Sequence, residues 1–233
     1  MEFPGVLLLV ITIVGTLGAA LAAGAAIKHA RTSVAQSIAV IAGAWLAAYG
    51  ASLIVTSLAS RERTLALGET KRFCGFYLDC HMGVAVERVD TMAGIGDVGR
   101  EVRAGGVFYV VTLRVSNDAK RVPLHLVEPR VVVVDAEGVE YERFADAERM
   151  LPERQHPDLE RSVDAGHSFT RTVVIDVPHG VREPRLRVTM GGRLDRVAEL
   201  AIIGDEDAWL HAPALHALVP GTGVSSASAD SRR

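Results

Sequence analysis

The chain has 233 residues, a formal net charge of −3 and hydrophobic residues at 49% of its positions. The absence of a basic excess argues against nucleic-acid binding. The length leaves about 170 residues for one well-buried core once two apolar segments at the N-terminus are set aside.

These two apolar segments, Gly5–Ile27 and Val34–Ala59, contain no Asp, Glu, Lys or Arg and are separated by a short polar link. About 20 apolar residues in a helix cross the hydrocarbon core of a bilayer. Residues 1–60 are therefore predicted to form a two-helix transmembrane hairpin. A cleaved signal peptide is the alternative for the first segment, but Met1–Pro4 carries no positive charge and the apolar run exceeds a typical signal h-region.

Small residues in the two segments bear on what the helices contact. Gly18-x-x-x-Ala22 and Gly43-x-x-x-Ala47 allow close approach of helix backbones in lipid. This spacing favours packing within the hairpin, with self-association through the same faces as the alternative. The expected partners are therefore membrane lipid through the two helices, together with other envelope proteins or a second copy of the chain.

Charge and cysteine content bear on sidedness. Lys28 and Arg31 favour a cytoplasmic link, whereas several basic residues that follow the second segment favour the opposite orientation. Cys74 and Cys80 are the only two cysteines, and a bridge between them would be typical of a domain outside the cytosol. We therefore predict this disulfide and a multi-pass integral membrane protein whose soluble domain is extracytoplasmic.

Residues 61–218 are predicted to form an all-β antiparallel sandwich. Met82–Val89 and Val107–Val115 alternate apolar and polar positions, which is typical of strands. Amphipathic helices do not alternate with the strands, so a parallel α/β fold is disfavoured. Further strands are predicted to begin at 124 and to cover 130–134, 139–143, 168–177, 185–190 and 197–203. The charged insertion Asp146–Arg161 is predicted to be a solvated loop with room for one short helix, and the tail 219–233 is predicted to be disordered.

Three segments in this order show a resemblance: Gly106–Asn117, Asp135–Tyr141 and Asp164–Pro178. They are similar to the bacterial immunoglobulin-like domain of unknown function found in membrane-anchored and lipoprotein surface proteins. The resemblance implies an immunoglobulin-like sandwich and supplies no catalytic residues. This chain departs from the family pattern at Asp164-Ala-Gly166, where Pro-Gly is common, and at Arg171, where a small residue is usual.

The segment around the cysteines is the most unusual string in the chain. Cys74, Cys80, His81 and Met82 are a soft ligand set that would suit copper, but side chains of consecutive residues alternate in direction on a strand. We therefore favour the disulfide, with Met82 in the core and His81 facing water, and keep a copper-binding or redox role as the alternative. The remaining histidines are predicted to be solvated.

Aromatic residues flank the first cysteine. Phe73, Phe76 and Tyr77 are predicted either to form an exposed binding surface or to belong to the core. The glycines of Gly94–Gly99 lack the flanking buried strand and helix of a dinucleotide site, so a hairpin loop is predicted there. No nucleophile–base arrangement is found. The predicted function is a non-enzymatic, cofactor-free, membrane-anchored module with a binding, scaffolding or envelope-complex role.

Overall fold

The computed structural model describes residues 3–73, 80–97, 99–192, 200–204, 208–219 and 222–223. These residues fall into two compact units. The first contains the N-terminal helices together with the described residues between 200 and 213. The second contains the strands, from Arg63 to Gly192 and again from Ala214 onward.

The first unit is built on α1 (Phe3–Lys28) and α2 (Thr32–Ala59). By length and composition both are apolar enough to cross a membrane, and few of their residues are buried. A hydrogen bond of 3.1 Å from Trp45 Nε1 to Thr12 Oγ1 joins the helices. The Thr12 and Thr16 hydroxyls donate to the carbonyls of Leu8 and Thr12, one turn earlier, so these two polar groups are satisfied without water, whereas the buried Ser57 hydroxyl has no partner among the described residues.

The second unit is a sandwich of two sheets. Its strands are β1 (Arg63–Leu65), β2 (Thr70–Phe73), β3 (Met82–Ile95), β4 (Val102–Asn117), β5 (Arg130–Val134), β6 (Glu140–Glu142), β7 (Ser168–Val177), β8 (Arg185–Thr189), β9 (Ala214–Ala217) and β10 (Thr222–Gly223). Sheet 1 has the order β1-β9-β8-β5-β6. Sheet 2 has the order β10-β3-β4-β7, and β2 also pairs with β3. The all-β sandwich predicted from the alternation is confirmed.

The core lies between the sheets and on one outer face. Val111, Leu113 and Val115 of β4 are fully buried in the main cluster between the sheets. Side chains on the other face of β4, such as Phe108, are covered from the outside by Phe144 and by Ala147 of the insertion; the centres of the Phe144 and Phe108 rings are 5.5 Å apart. The short helix α3 (Ala145–Glu148) belongs to this cover. Burial on both faces explains why β4 and β7 are more apolar than one-sided strands.

The β5–β6 hairpin shows why its sequence reads Asp-x-x-Gly followed by Tyr. Asp135 Oδ1 accepts the N–H groups of Glu137 (3.0 Å) and Val139 (2.8 Å), and its Oδ2 accepts the Tyr141 hydroxyl at 2.9 Å. Gly138 adopts φ +82°, which a residue without Cβ tolerates. One carboxylate therefore fixes the turn and the strand that follows it.

Four expectations are corrected. The sandwich is not wholly antiparallel, because β1 pairs with β9 in parallel. Residues 200–203, expected in a strand, form turns that group with the helices. The tail expected to be disordered contributes Thr222–Gly223 to sheet 2 beside β3. Position 124 begins no strand, since Leu124 makes only an isolated bridge to Val163.

Candidate polar cleft on sheet 2

A polar cleft lies on the outer face of sheet 2, where four strands run side by side. Arg72 pairs with Gly83, Gly83 with Ser116, and Ser116 with Ser168, so the four residues form one row across the sheet. A Cβ at Gly83 would lie 2.5 Å from Thr70 Cγ2. A cleft of about 310 Å³ is lined along this row by Arg72, Ser116 and Ser168.

The loop that closes one end of the cleft is organised by Asn117, the last residue of β4. Its buried amide donates to the carbonyls of Val122 and Val163, both at 2.9 Å, and its Oδ1 accepts the Ala119 N–H at 2.9 Å. The Asn117 carbonyl also accepts the N–H of Gly166 at 2.9 Å. The strand therefore ends in Asn because a single side chain satisfies three backbone groups of two loops.

Asp118 is the central acidic group at the cleft. It accepts hydrogen bonds from the Arg72 guanidinium and from His81 Nδ1, the latter at 2.8 Å. Burial alone would raise the pKa of Asp118, but the hydrogen bonds from Arg72 and His81 together hold it below the ordinary value. All three side chains are exposed, so these pairs position groups and contribute little to stability.

A second guanidinium, that of Arg114, enters the cleft from β4 and pairs with Glu87 at 3.0 Å. Each arginine in the cleft thus has a carboxylate partner, and the hydroxyl groups of Thr70, Ser116 and Ser168 lie beside them. This arrangement suits hydrogen bonding to a hydroxyl-rich or carboxylate-bearing ligand, since guanidinium groups pair with carboxylates in two-pronged geometry.

The residues of the copper hypothesis are only partly brought together. His81 is exposed and bonded to Asp118, whereas Met82 is 4% exposed in the core and points to the opposite side of the strand. Cys80 lies two residues before the start of β3, and Cys74 lies outside the described residues. No group of three or more His, Cys, Asp or Glu side chains suited to a metal occurs in the part of the chain that the structure describes. The disulfide remains a prediction.

The expected aromatic surface is corrected at one position. Phe73 is 4% exposed and belongs to the core between the sheets, with the Lys71 ammonium 5.3 Å from its ring centre. Alternation along β2 explains this, because Phe73 shares the inward face with Lys71 while Arg72 faces the cleft. Phe76 and Tyr77 lie outside the described residues.

Sequence reasoning missed a buried titratable pair at one side of the sandwich. His216 of β9 is completely buried, and neither ring nitrogen has a hydrogen-bond partner among the described residues. Lys71 is also buried and donates to the Val188 carbonyl at 3.2 Å. Burial, with a contribution from the positive charge of Lys71, lowers the pKa of His216 to about 4. The expectation of a solvated histidine is wrong here. The available sequence signal was the position of His216 inside an apolar run, between Ala214-Leu215 and Ala217-Leu218.

A second missed feature is the buried carboxylate of Glu148 in the insertion. It accepts hydrogen bonds from Arg143 (2.8 and 2.5 Å), from Arg171 (2.5 Å) and from the Val174 N–H (3.2 Å). Burial would raise the pKa of Glu148, but the two guanidinium groups together hold it below its ordinary value. The insertion is therefore docked on β7 rather than solvated, with the buried Arg171 of β7 paired to Glu148.

Comparisons with known proteins add little beyond the fold. No protein-family model and no curated protein matches the chain. A conserved hypothetical protein from Bacillus anthracis is 20% identical over 51% of this chain and 86% of its own length, with a TM-score of 0.37. A secreted protein from Mycobacterium tuberculosis is 13% identical over 59% and 95%, with a TM-score of 0.40. An uncharacterised β-sandwich protein from Clostridium difficile 630 is 10% identical over 69% and 96%, with a TM-score of 0.39.

These similarities carry no argument about function. The two sheets of this structure establish the β-sandwich on their own. The family inferred from the three sequence segments is not shown by any match.

Proposed function

We propose that the protein is a membrane-anchored module whose two helices cross the bilayer and hold the β-sandwich outside the cytoplasm, where the sandwich binds or scaffolds other envelope components. The observation that carries this proposal is the exposed apolar surface of α1 and α2. Large side chains along both helices are half exposed or more, among them Leu17, Leu21, Val40 and Ile41.

Such a surface needs an apolar solvent. Soluble monomers rarely expose contiguous apolar patches beyond a few hundred Å². Here two helices of 26 and 28 residues expose apolar side chains along their length, while the hydroxyl groups of Thr12, Thr16, Ser52 and Thr56 bond to their own helix backbone. A bilayer accommodates both properties, since its core accepts apolar side chains and requires every backbone and hydroxyl group to be satisfied internally.

The proposed orientation rests on the charged link and on the two cysteines, which together are weighed against the basic residues that follow α2. Lys28 and Arg31 lie between the helices, and short loops rich in Lys or Arg stay in the cytoplasm. A cytoplasmic link leaves both chain ends, and with them the sandwich, on the other side. The predicted bridge between Cys74 and Cys80 fits an oxidising compartment.

The binding role is proposed for the polar cleft. It presents two guanidinium groups, an imidazole and three hydroxyl groups on an exposed sheet face. The proposal assigns no catalytic step to these groups. A hydroxyl-rich or carboxylate-bearing component of the envelope is the ligand class that their hydrogen-bonding capacity fits.

Extraction of membranes with alkaline carbonate tests the anchoring. The full chain, tagged at both ends and expressed in a bacterial host, should stay in the pellet with both tags attached. The matched control lacks residues 1–60 and should appear in the supernatant. Recovery of the full chain in the supernatant, or loss of the N-terminal tag by cleavage, would overturn the two-helix anchor.

A further inference from the structure

A segment near the C-terminus lies against the helices. The Tyr49 hydroxyl donates to the Ala201 carbonyl at 2.6 Å, and the Ser60 hydroxyl accepts the Ala212 N–H at 2.8 Å. We call the described residues 200–204 and 208–213 the return segment. Tyr49 of α2 and Ser60, which follows α2, thus bond to the backbone of the two halves of the return segment.

Contacts with α1 are equally close. A Cβ at Gly5 would lie 2.2 Å from the Ile203 carbonyl oxygen, so the return segment passes at this distance only because Gly5 has no side chain. Val6 and Ile202 are each 8% exposed. The return segment therefore buries apolar groups of the first turns of α1.

The hydrogen bond between Thr12 and Trp45 locates the return segment along the hairpin. Because the helices run antiparallel at about 1.5 Å per residue, Phe3 lies beside about residue 54 of α2. The last turn of α2 therefore extends about 8 Å beyond the start of α1. The return segment, held at Gly5 and at Ser60, lies where the hairpin leaves its apolar stretch.

The outer side of the return segment is apolar. Trp209 is 54% exposed, Leu210 is 51% exposed, and Leu200 is also exposed. Leu210 has φ +64°, a left-handed conformation that L-residues with a bulky side chain rarely adopt. A strained turn that presents two large apolar side chains to the outside calls for a partner surface.

We propose that the return segment is a third membrane contact, in which Trp209 and Leu210 insert at the boundary between lipid headgroups and acyl chains. This inference rests on the proposed anchoring. Lipid is the occupant because both attachments of the return segment lie at the ends of the apolar helices. Ile203 meets Gly5, within one turn of Leu7, where the exposed apolar surface of α1 begins, and Ala212 bonds to Ser60, the residue that follows α2. Tryptophan favours this boundary because its ring is apolar and its N–H remains able to bond.

The two tryptophans of the chain allow a direct test. Trp45→Phe leaves Trp209 as the single reporter, and the matched control Trp209→Phe leaves Trp45. Each full-length variant is reconstituted into vesicles whose lipids carry bromine near the headgroup or deep in the acyl chains. Tryptophan emission is then measured with these lipids and with the aqueous quencher iodide.

Trp209 should be quenched by shallow bromine more than by deep bromine and should be protected from iodide. Two results would overturn the membrane contact. The first is quenching of Trp209 by iodide but not by bromine. The second is protection of Trp209 from iodide only at high protein density and without bromine quenching, which would indicate a second copy of the chain as the partner. Trp45 separates this failure from failure of the anchor. If the anchor is wrong, bromine quenches neither tryptophan; if only the return segment is wrong, bromine still quenches Trp45.

Discussion

Acidification should unfold the sandwich through His216, and the size of the effect follows from its burial. The ring is completely buried beside the positive charge of Lys71, and its pKa is lowered from 6.5 to about 4. Between these two values the unfolded chain binds a proton that the folded chain does not. The contribution of the neutral His216 to the unfolding free energy is therefore fully present above about pH 6.5 and is lost as the pH falls toward 4.

The magnitude follows from about 1.4 kcal/mol per pKa unit. The unfolding free energy should fall by about 2 kcal/mol at pH 5 and by about 3 kcal/mol near pH 4, relative to pH 7.5. Carboxylates titrate in the same range, so a variant must isolate the histidine. His216→Leu removes the titrating group at similar volume and should reduce the pH dependence by these amounts.

Urea titrations of the full chain in non-ionic detergent, followed by circular dichroism of the sheet between pH 7.5 and 4, provide the measurement. His125→Leu is the matched control because His125 is exposed, and it should keep the wild-type pH dependence. An equal loss of stability with acid in the wild type and in His216→Leu would refute the reasoning, because the acid sensitivity would then come from other groups.

Three further predictions concern packing and the cysteines. Glu148→Ala should destabilise the sandwich by about 3–5 kcal/mol in urea titrations because it leaves the buried Arg171 guanidinium without its carboxylate. The control Glu160→Ala, on the exposed surface, should change the unfolding free energy little. Equal effects of the two substitutions would contradict the buried pair. Gly106→Ala should cost more than about 1 kcal/mol since its Cβ would lie 2.2 Å from the Val177 carbonyl oxygen, and Gly105→Ala, with 3.3 Å to a flexible carboxylate, should cost less. The two cysteines should react with maleimide only after reduction, and labelling of the unreduced protein would exclude their bridge.

Elements with a strong repeating pattern were predictable from the sequence. The two apolar runs gave α1 and α2 to within a few residues, because twenty or more apolar residues leave few alternatives to a helix. The strand predictions for 130–134 and 168–177 match β5 and β7, since β-branched residues dominate both. β4 is longer than its prediction because the strand continues through Gly105 and Gly106 instead of ending there, and the Asp176 carboxylate accepts both of their N–H groups.

Features that depend on distant contacts were not predictable. Glu148 reads as one more charged residue of a polar insertion until the insertion folds onto β7 and meets Arg171. The return segment has the apolar composition of a strand at Ala201–Ile203, yet it packs on the helices. In both cases local propensity is overridden by packing between segments far apart in sequence. The cleft likewise depends on a register that places Gly83 between Arg72 and Ser116.

The placement of the sandwich across the membrane is tested most directly by labelling single added cysteines in intact cells. His29→Cys marks the link between the helices without removing Lys28 or Arg31, and Lys120→Cys marks an exposed loop of the sandwich. A membrane-impermeant maleimide, with the parent chain as the background, should label Lys120→Cys in intact cells and His29→Cys only after lysis. Labelling of His29→Cys but not of Lys120→Cys in intact cells would contradict the proposed orientation, and equal labelling of both would contradict the two spans.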